Sequence, residues 1–261
     1  SAEDCSPVIW DSDSNLFISQ MAQRGIPYTT AQEIGNTSDE KRVNHFQFAS
    51  IENGNLKVNE KLVSLANDIY GLTQAGTLVT QGSYGSYASD LFKKKKVMFT
   101  IGSTGGSAYN EPNGSFVCGL SKVPAYQNKQ KYIMQGPSIC FFNTKDSPKE
   151  KATWDFYSKY VSDSNLNAQL ALENSYDPVK KASYETDSYK DWVENGKDNN
   201  GNEDVTKELQ YRIPNLTASL KDSYMTSPVF IGSSKARTEI GKIISYTKEK
   251  KGNVTEAIKT I

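Results

Sequence analysis

The chain has 261 residues, long enough to bury a sizeable core as one large domain or two modest lobes. Lysine plus arginine and aspartate plus glutamate both total 30, so the net charge is zero and no global field gathers nucleic acid or an anionic membrane. No run approaches the roughly 18 apolar residues of a membrane-spanning helix, and Cys5, Cys118 and Cys140 form an odd set without C-x-x-C spacing, which points to neither a disulfide framework nor a zinc site.

In chain order, "SPVIW" is a short apolar run that reads as a strand, with Cys5 an ordinary strand residue beside it. A polar turn from Asp11 to Asn15 follows. Leu16, Phe17, Met21 and Ala22 then recur at helical spacing before Gly25. "IPYTTAQEIGNTSDEKRVNHF" lacks a period and reads as loop with at most one short strand. "NEKLVSLANDIYGLTQAG" is the clearest helix: Asn59 suits the N-cap, Leu62, Leu65, Ala66 and Ile69 line one face, and Gly76 ends it. "SYASDLFKKKKVMFTIGS" predicts a short helix running out into Lys93–Lys96, a solvated end, and a strand through Val97, Phe99 and Ile101.

"GSFVCGLSKVPAY" and "YIMQGPSICFF" read as two more strands interrupted by glycine. Ser147 is expected to cap a helix with Pro148 at its first position and Trp154, Phe156, Tyr157, Tyr160 and Val161 on its buried face. Another helix carries Ala168 to Leu172, Tyr176-Asp177-Pro178 is a loop, and "ENGKDNNGNED" is a polar, exposed excursion. A helix starts near Ser233, and "NVTEAIKTI" forms a last short one. The alternation of strands and helices argues an α/β architecture.

Most chemistry fails on spacing. His45, the single histidine, has no third group to orient it beside a nucleophile. Ser103 in "IGSTGG" does not sit in a G-x-S-x-G elbow with a downstream histidine, and no G-K-[ST] closes a Walker loop. "DNNGNED" alternates acceptors as calcium loops do, but Glu203 stands where glycine is required and Leu209 where the bidentate glutamate belongs. The paired Asp11 and Asp13 find no second acid pair of the kind a glycosidase uses. What remains is a glycine, serine and threonine loop directly after a strand, whose backbone N–H groups suit hydroxyl or phosphate oxygens, or which is simply a tight packed connection.

The collinear set "DSDSNLFISQMAQRG", "LFKKKKVMFTIGSTGG", "MQGPSICFF…SYDPVKKASY" and "TSPVFIGSSKARTEIGKII" resembles the extracellular solute-binding proteins of ABC importers, in the group that includes maltodextrin, oligosaccharide and glycerol-phosphate binders. Lys94 and Lys95 stand where that family commonly has glycine, and Gly105-Gly106 where its sugar binders often place tryptophan. The resemblance implies an α/β, periplasmic-binding-protein-like (type II) fold, this chain being the C-terminal lobe of a longer protein together with a strand-helix segment that belongs to the first lobe. It divides the chain into 1–135 as second-lobe core, 136–184 as the crossing segment and 185–261 as the return with the last helices. It also implies an extracellular or periplasmic location with a lipid anchor N-terminal to this sequence. In a chain lacking the first lobe the Trp154, Phe156 and Tyr157 face loses cover, so it is expected to pack on the remaining lobe or on a second molecule, since about 25 cal/mol per Å² of apolar area favours covering it.

By the same resemblance the protein is not an enzyme and takes no cofactor or metal. It binds a small polar solute, a sugar or polyol phosphate, by hinge closure and passes it to a membrane permease, with no nucleic-acid partner. Its site residues are Asp13, Ser14 and Asn15 at the strand end, Ser103, Thr104 and Gly105 in the glycine loop, Gly136 on the crossing strand, Tyr176 in the tyrosine-proline loop and Arg237 in the late segment. Arg237 either reaches the cleft, where its fork suits phosphate or carboxylate, or lies on a helix surface. The alternative reading is a hydrolase working through Ser103 or the Asp11/Asp13 pair.

Overall fold

The computed structural model describes residues 5–27, 49–136, 138–220, 222–227, 229 and 232–261. His45 and most of the aperiodic segment after Gly25 lie outside them. The chain forms two units, Ser1–Gly102 with Val123–Met134 and Ser223–Ile261, and Ser103–Lys122 with Gln135–Asp222.

The first unit is built on a parallel sheet. Strand β1 (Ser6–Trp10) leads into helix α1 (Asp13–Gln23), the hairpin of β2 (Ala49–Glu52) and β3 (Asn55–Val58), helix α2 (Glu60–Gln74) and strand β4 (Leu78–Thr80). Strand β5 (Val97–Ile101) follows the helix Ala88–Lys93. The order is β4-β1-β5, with Val8 opposite both Leu78 and Phe99. Parallel strands need cover on both faces, and alternate residues of β1 supply it. Trp10 joins Leu16, Phe17, Leu62, Leu65 and Ile240 on one side, while Ile9 joins Ala88, Leu91 and Val97 on the other.

Local signals set α2 as expected, whereas α1 starts at Asp13, inside the stretch read as a polar turn, because Ser12 caps it there. Asn59 Oδ1 accepts from Lys61 N at 3.0 Å, and Leu62, Leu65, Ala66 and Ile69 are buried in one stripe. Ser12 Oγ accepts from Asn15 N at 3.2 Å and starts α1. Cys5 falls just ahead of β1 rather than in it. The helices Ser233–Gly241 and Val254–Thr260 form where they were read, with Ile243–Glu249 between them.

"GSFVCGLSKVPAY" and "YIMQGPSICFF" do not form the strands expected of them. Among their described residues only Tyr132–Ile133 pairs, parallel to Tyr224–Met225, beside an isolated bridge from Tyr126 to Lys129. Glycine interruptions leave no run long enough for a ladder, and side chains satisfy the backbone instead. The buried Gln23 donates from Nε2 to Pro124 O at 3.2 Å and accepts at Oε1 from Tyr126 N at 3.0 Å.

The second unit has no strand among its described residues, so strand-helix alternation holds only for the first. Ala168 and Leu172 of the helix Ser164–Glu173 pack with Tyr189 of the helix Asp187–Asn195, and Tyr184, Trp192 and Val193 surround them. The helix Ser147–Phe156 is capped by Asp146, whose Oδ1 accepts from Lys149 N at 3.2 Å, one residue earlier than Ser147; Pro148 is therefore at its second position. Its aromatic face is not buried. Trp154 is 55%, Phe156 60% and Tyr160 51% exposed, against the burial expected of that face. These rings cover mainly one another: Trp154 meets Phe141 edge-on at 5.6 Å and Phe156 lies 5.5 Å from Tyr160. A 3.6-residue aromatic stripe reports a capacity for burial, and an unmatched neighbouring surface leaves it unused.

Candidate functional site

In the first unit β4 and β5 flank β1 on opposite sides. The strand order therefore reverses at β1, where open α/β sheets bind ligands beyond the carboxyl ends of the strands. Asp13 ties two of those ends together: its Oδ1 accepts from Thr80 Oγ1 at 2.6 Å and its Oδ2 from Gly82 N at 3.1 Å. Thr80 and Ser83 close a capping box on the turn that presents Gly82. The box is spelled "TQGS" from Thr80, with serine at the third helical position in place of the usual glutamate or glutamine, which hides it in the sequence. Asp11 stands at the third end, its N donating to Ile101 O at 2.9 Å.

Asn15 and Arg237 meet directly. Arg237 Nη2 donates to Asn15 Oδ1 and Nη1 to Ser227 Oγ at 3.4 Å, so the half-buried guanidinium is held at the first turn of α1. Gly241 lets the two helices approach there, since a Cβ on it would stand 3.2 Å from Ser14 N. The Ser14 hydroxyl lies 3.1 Å from that of the cap Ser12.

The second unit holds Ser103, Thr104, Gly105, Gly136 and Tyr176. Thr104–Gly106 is a 3₁₀ turn closed by Gly106 N donating to Ser103 O at 3.0 Å. The phenol end of Tyr176 rests on Gly105: a Cβ there would be 2.4 Å from Tyr176 Cζ and 2.6 Å from its hydroxyl oxygen. Glycine is required at 105 by this approach. Beneath the contact Ser107 Oγ donates to Ser175 Oγ at 2.7 Å, both residues being buried. Ser103 is exposed, Thr104 half-buried and Tyr176 46% exposed, so a ring and two hydroxyl side chains share one accessible turn. Gly136 is exposed with open space about its Cα and joins none of them.

Further residues brace this turn. Glu111 Oε2 accepts from Leu209 N at 2.8 Å at the start of the helix Leu209–Ala218. From that helix the buried Arg212 donates from Nη2 to Cys118 O at 2.8 Å and from Nε to Glu203 Oε1 at 2.7 Å. Burial raises the Cys118 thiol above its usual range, with Arg212 opposing. Thr217 Oγ1 donates to Asp177 Oδ1 at 2.7 Å, and Tyr184 donates to Pro178 O at 2.9 Å. Burial first, and the nearby Asp177 second, push Tyr184 and Tyr189 up to about 12.

The polar excursion is a self-bonded turn, with Asp198 Oδ1 accepting from Asn200 N at 2.9 Å and Asn202 N at 2.8 Å. Glu203 faces Arg212. Among the described residues no three His, Cys, Asp or Glu gather as a metal centre. A family model described as bacterial extracellular solute-binding protein matches residues 20–197, a span that includes Ser103 to Gly105 and Tyr176. Among curated proteins none matches the chain.

Proposed function

The chain belongs to the bacterial extracellular solute-binding proteins, and from that membership we propose that it captures a sugar or a glycerol-phosphate-like polyol for an ABC importer. The substrate-binding role in transport and the small-solute ligand follow from the family; the solute class is the reading offered here. One observation carries it. The half-exposed Tyr176 ring sits on the backbone of Gly105, in the turn whose sequence also carries Ser103 and Thr104, which pairs a ring with hydroxyl residues as sugar recognition demands.

In this reading Ser103, Thr104 and Tyr176 contact the solute and Gly105 shapes their turn. Asp13, Ser14, Asn15 and Arg237 order the strand ends of the first unit. Arg237, already bonded to Asn15 and Ser227, orders that turn and would meet an anionic group only as a secondary partner. Tighter binding to a closed conformation shifts the population toward the form that the permease accepts.

A thermal-shift and calorimetry series with maltose, maltotriose, glucose and glycerol 3-phosphate tests this. Ligand at about 100 times Kd adds about 2.7 kcal/mol of stability, a shift of several degrees. Saturable heat without turnover, weakened by Tyr176→Ala, is the expected result. No response to any of the four, or steady product release from them, would overturn it.

A further inference from the structure

We propose that Ser175 is a positioning residue that fixes the plane of Tyr176 through its buried hydroxyl bond to Ser107. The proposal rests on the reading of Tyr176 as a solute contact and adds to it the device that aims the ring. The helix Ser164–Glu173 ends in a Schellman arrangement: Tyr176 N donates to Ala171 O at 2.8 Å and Ser175 N to Leu172 O at 2.9 Å. In that arrangement the residue at position 175 takes left-handed backbone, and its φ is 58°. Glycine is the usual occupant, because a Cβ makes this conformation unfavourable.

Serine at that position therefore costs stability, and its backbone bonds would be the same with glycine. What its side chain adds is a hydroxyl, which accepts from Ser107 Oγ at 2.7 Å while both residues are about 5% exposed. Ser107 directly follows the Thr104–Gly106 turn on which the Tyr176 ring sits, and Ser175 directly precedes Tyr176. The bond thus ties the two backbone segments together one residue from Tyr176 and two from Gly105. Next to it Thr217 Oγ1 holds Asp177 Oδ1 at 2.7 Å, so the main chain on the far side of Tyr176 is braced as well. Unlike the other described non-glycine residues with positive φ, Ser175 returns a buried side-chain bond to the segment under the Tyr176 ring, which is the observation behind the proposal.

The test separates aim from stability. Ser175→Gly relieves the backbone but removes a buried hydrogen bond, two opposing effects of similar size, so its melting temperature should stay within a few degrees of the parent while the Tyr176 ring loosens. Uniform 3-fluorotyrosine labelling, with the Tyr176 line assigned by Tyr176→Phe, reports the ring by fluorine NMR without any ligand. A moved or broadened Tyr176 line in both Ser175→Gly and Ser107→Ala, with the double variant no worse than either, supports the proposal. Calorimetry with whichever of maltose, maltotriose, glucose or glycerol 3-phosphate binds the parent should show about a tenfold loss in both. An unmoved Tyr176 line in both variants overturns it, and so does an unchanged affinity. If the line moves but none of maltose, maltotriose, glucose and glycerol 3-phosphate binds the parent, the positioning device stands and the solute reading fails. Should Ser175→Gly not fold, Ser107→Ala alone decides by the same line.

Discussion

Asp11 and Gly102 face each other across the tips of β1 and β5, so closely that a Cβ at 102 would stand 2.7 Å from Asp11 Oδ2. Glycine here is a packing requirement. Gly102→Ala should force Asp11 aside and destabilise the first unit by about 1–3 kcal/mol, lowering Tm by a few degrees. Thermal unfolding by circular dichroism measures it, and an unchanged Tm would mean that the Asp11 side chain yields freely.

Gly105→Ala should behave differently. The added methyl meets the far end of a half-exposed tyrosine, which can swing away, so stability changes by within about 0.5 kcal/mol. Solute affinity, by contrast, should fall about tenfold, or about 1.4 kcal/mol, because the stacking ring no longer sits on the turn. Parallel melting curves and calorimetry would show the split; a loss of stability with affinity intact would refute it.

Glu203→Ala leaves the guanidinium of Arg212, 2% exposed, facing only the Cys118 carbonyl among the partners named above. Removing one partner of a buried pair costs about 3–5 kcal/mol. Glu203 is 34% exposed, so water can replace part of it and about 2–3 kcal/mol is expected. Urea denaturation should show this loss, whereas Glu194→Ala, which removes an exposed partner of Lys197, should stay within about 0.5 kcal/mol.

Alkaline pH should weaken the second unit through Tyr184 and Tyr189. Both folded values rise to about 12 from 10, so the stability they contribute is intact below pH 10 and is lost as the pH climbs through 12, when the phenolates form and are unfavourable inside. Ultraviolet phenolate titration should reveal a late-ionising group among the 15 tyrosines, reduced by Tyr189→Phe. Complete ionisation near pH 10 with the fold intact would contradict the burial of these rings.

Much of the first unit was legible in the sequence. The period of Leu62, Leu65, Ala66 and Ile69, the Asn59 cap and the order of β1 and α1 all came through, because those signals act between residues a few positions apart. The membership of the solute-binding family was legible too, as a collinear pattern rather than one motif. The strand readings around Phe116 and Ile139 failed because a ladder needs a partner, and a run of residues does not say whether one exists. The burial assigned to Trp154 and Phe156 failed for a related reason: amphipathic spacing names a face, and only packing decides what touches it.

By itself the sequence determined that the net charge is zero, that strands and helices alternate as in an α/β chain, and where the most periodic helices lie, Glu60–Gln74 above all. Tertiary structure alone decided what those side chains do. Asp13 finds Thr80 and Gly82 at separations of 67 and 69 residues, and Ser107 finds Ser175 at 68. Caps and periods are local energies readable from neighbours, whereas a close approach between distant residues exists only once the core has fixed both backbones, and the Tyr176 ring on Gly105 is such a contact.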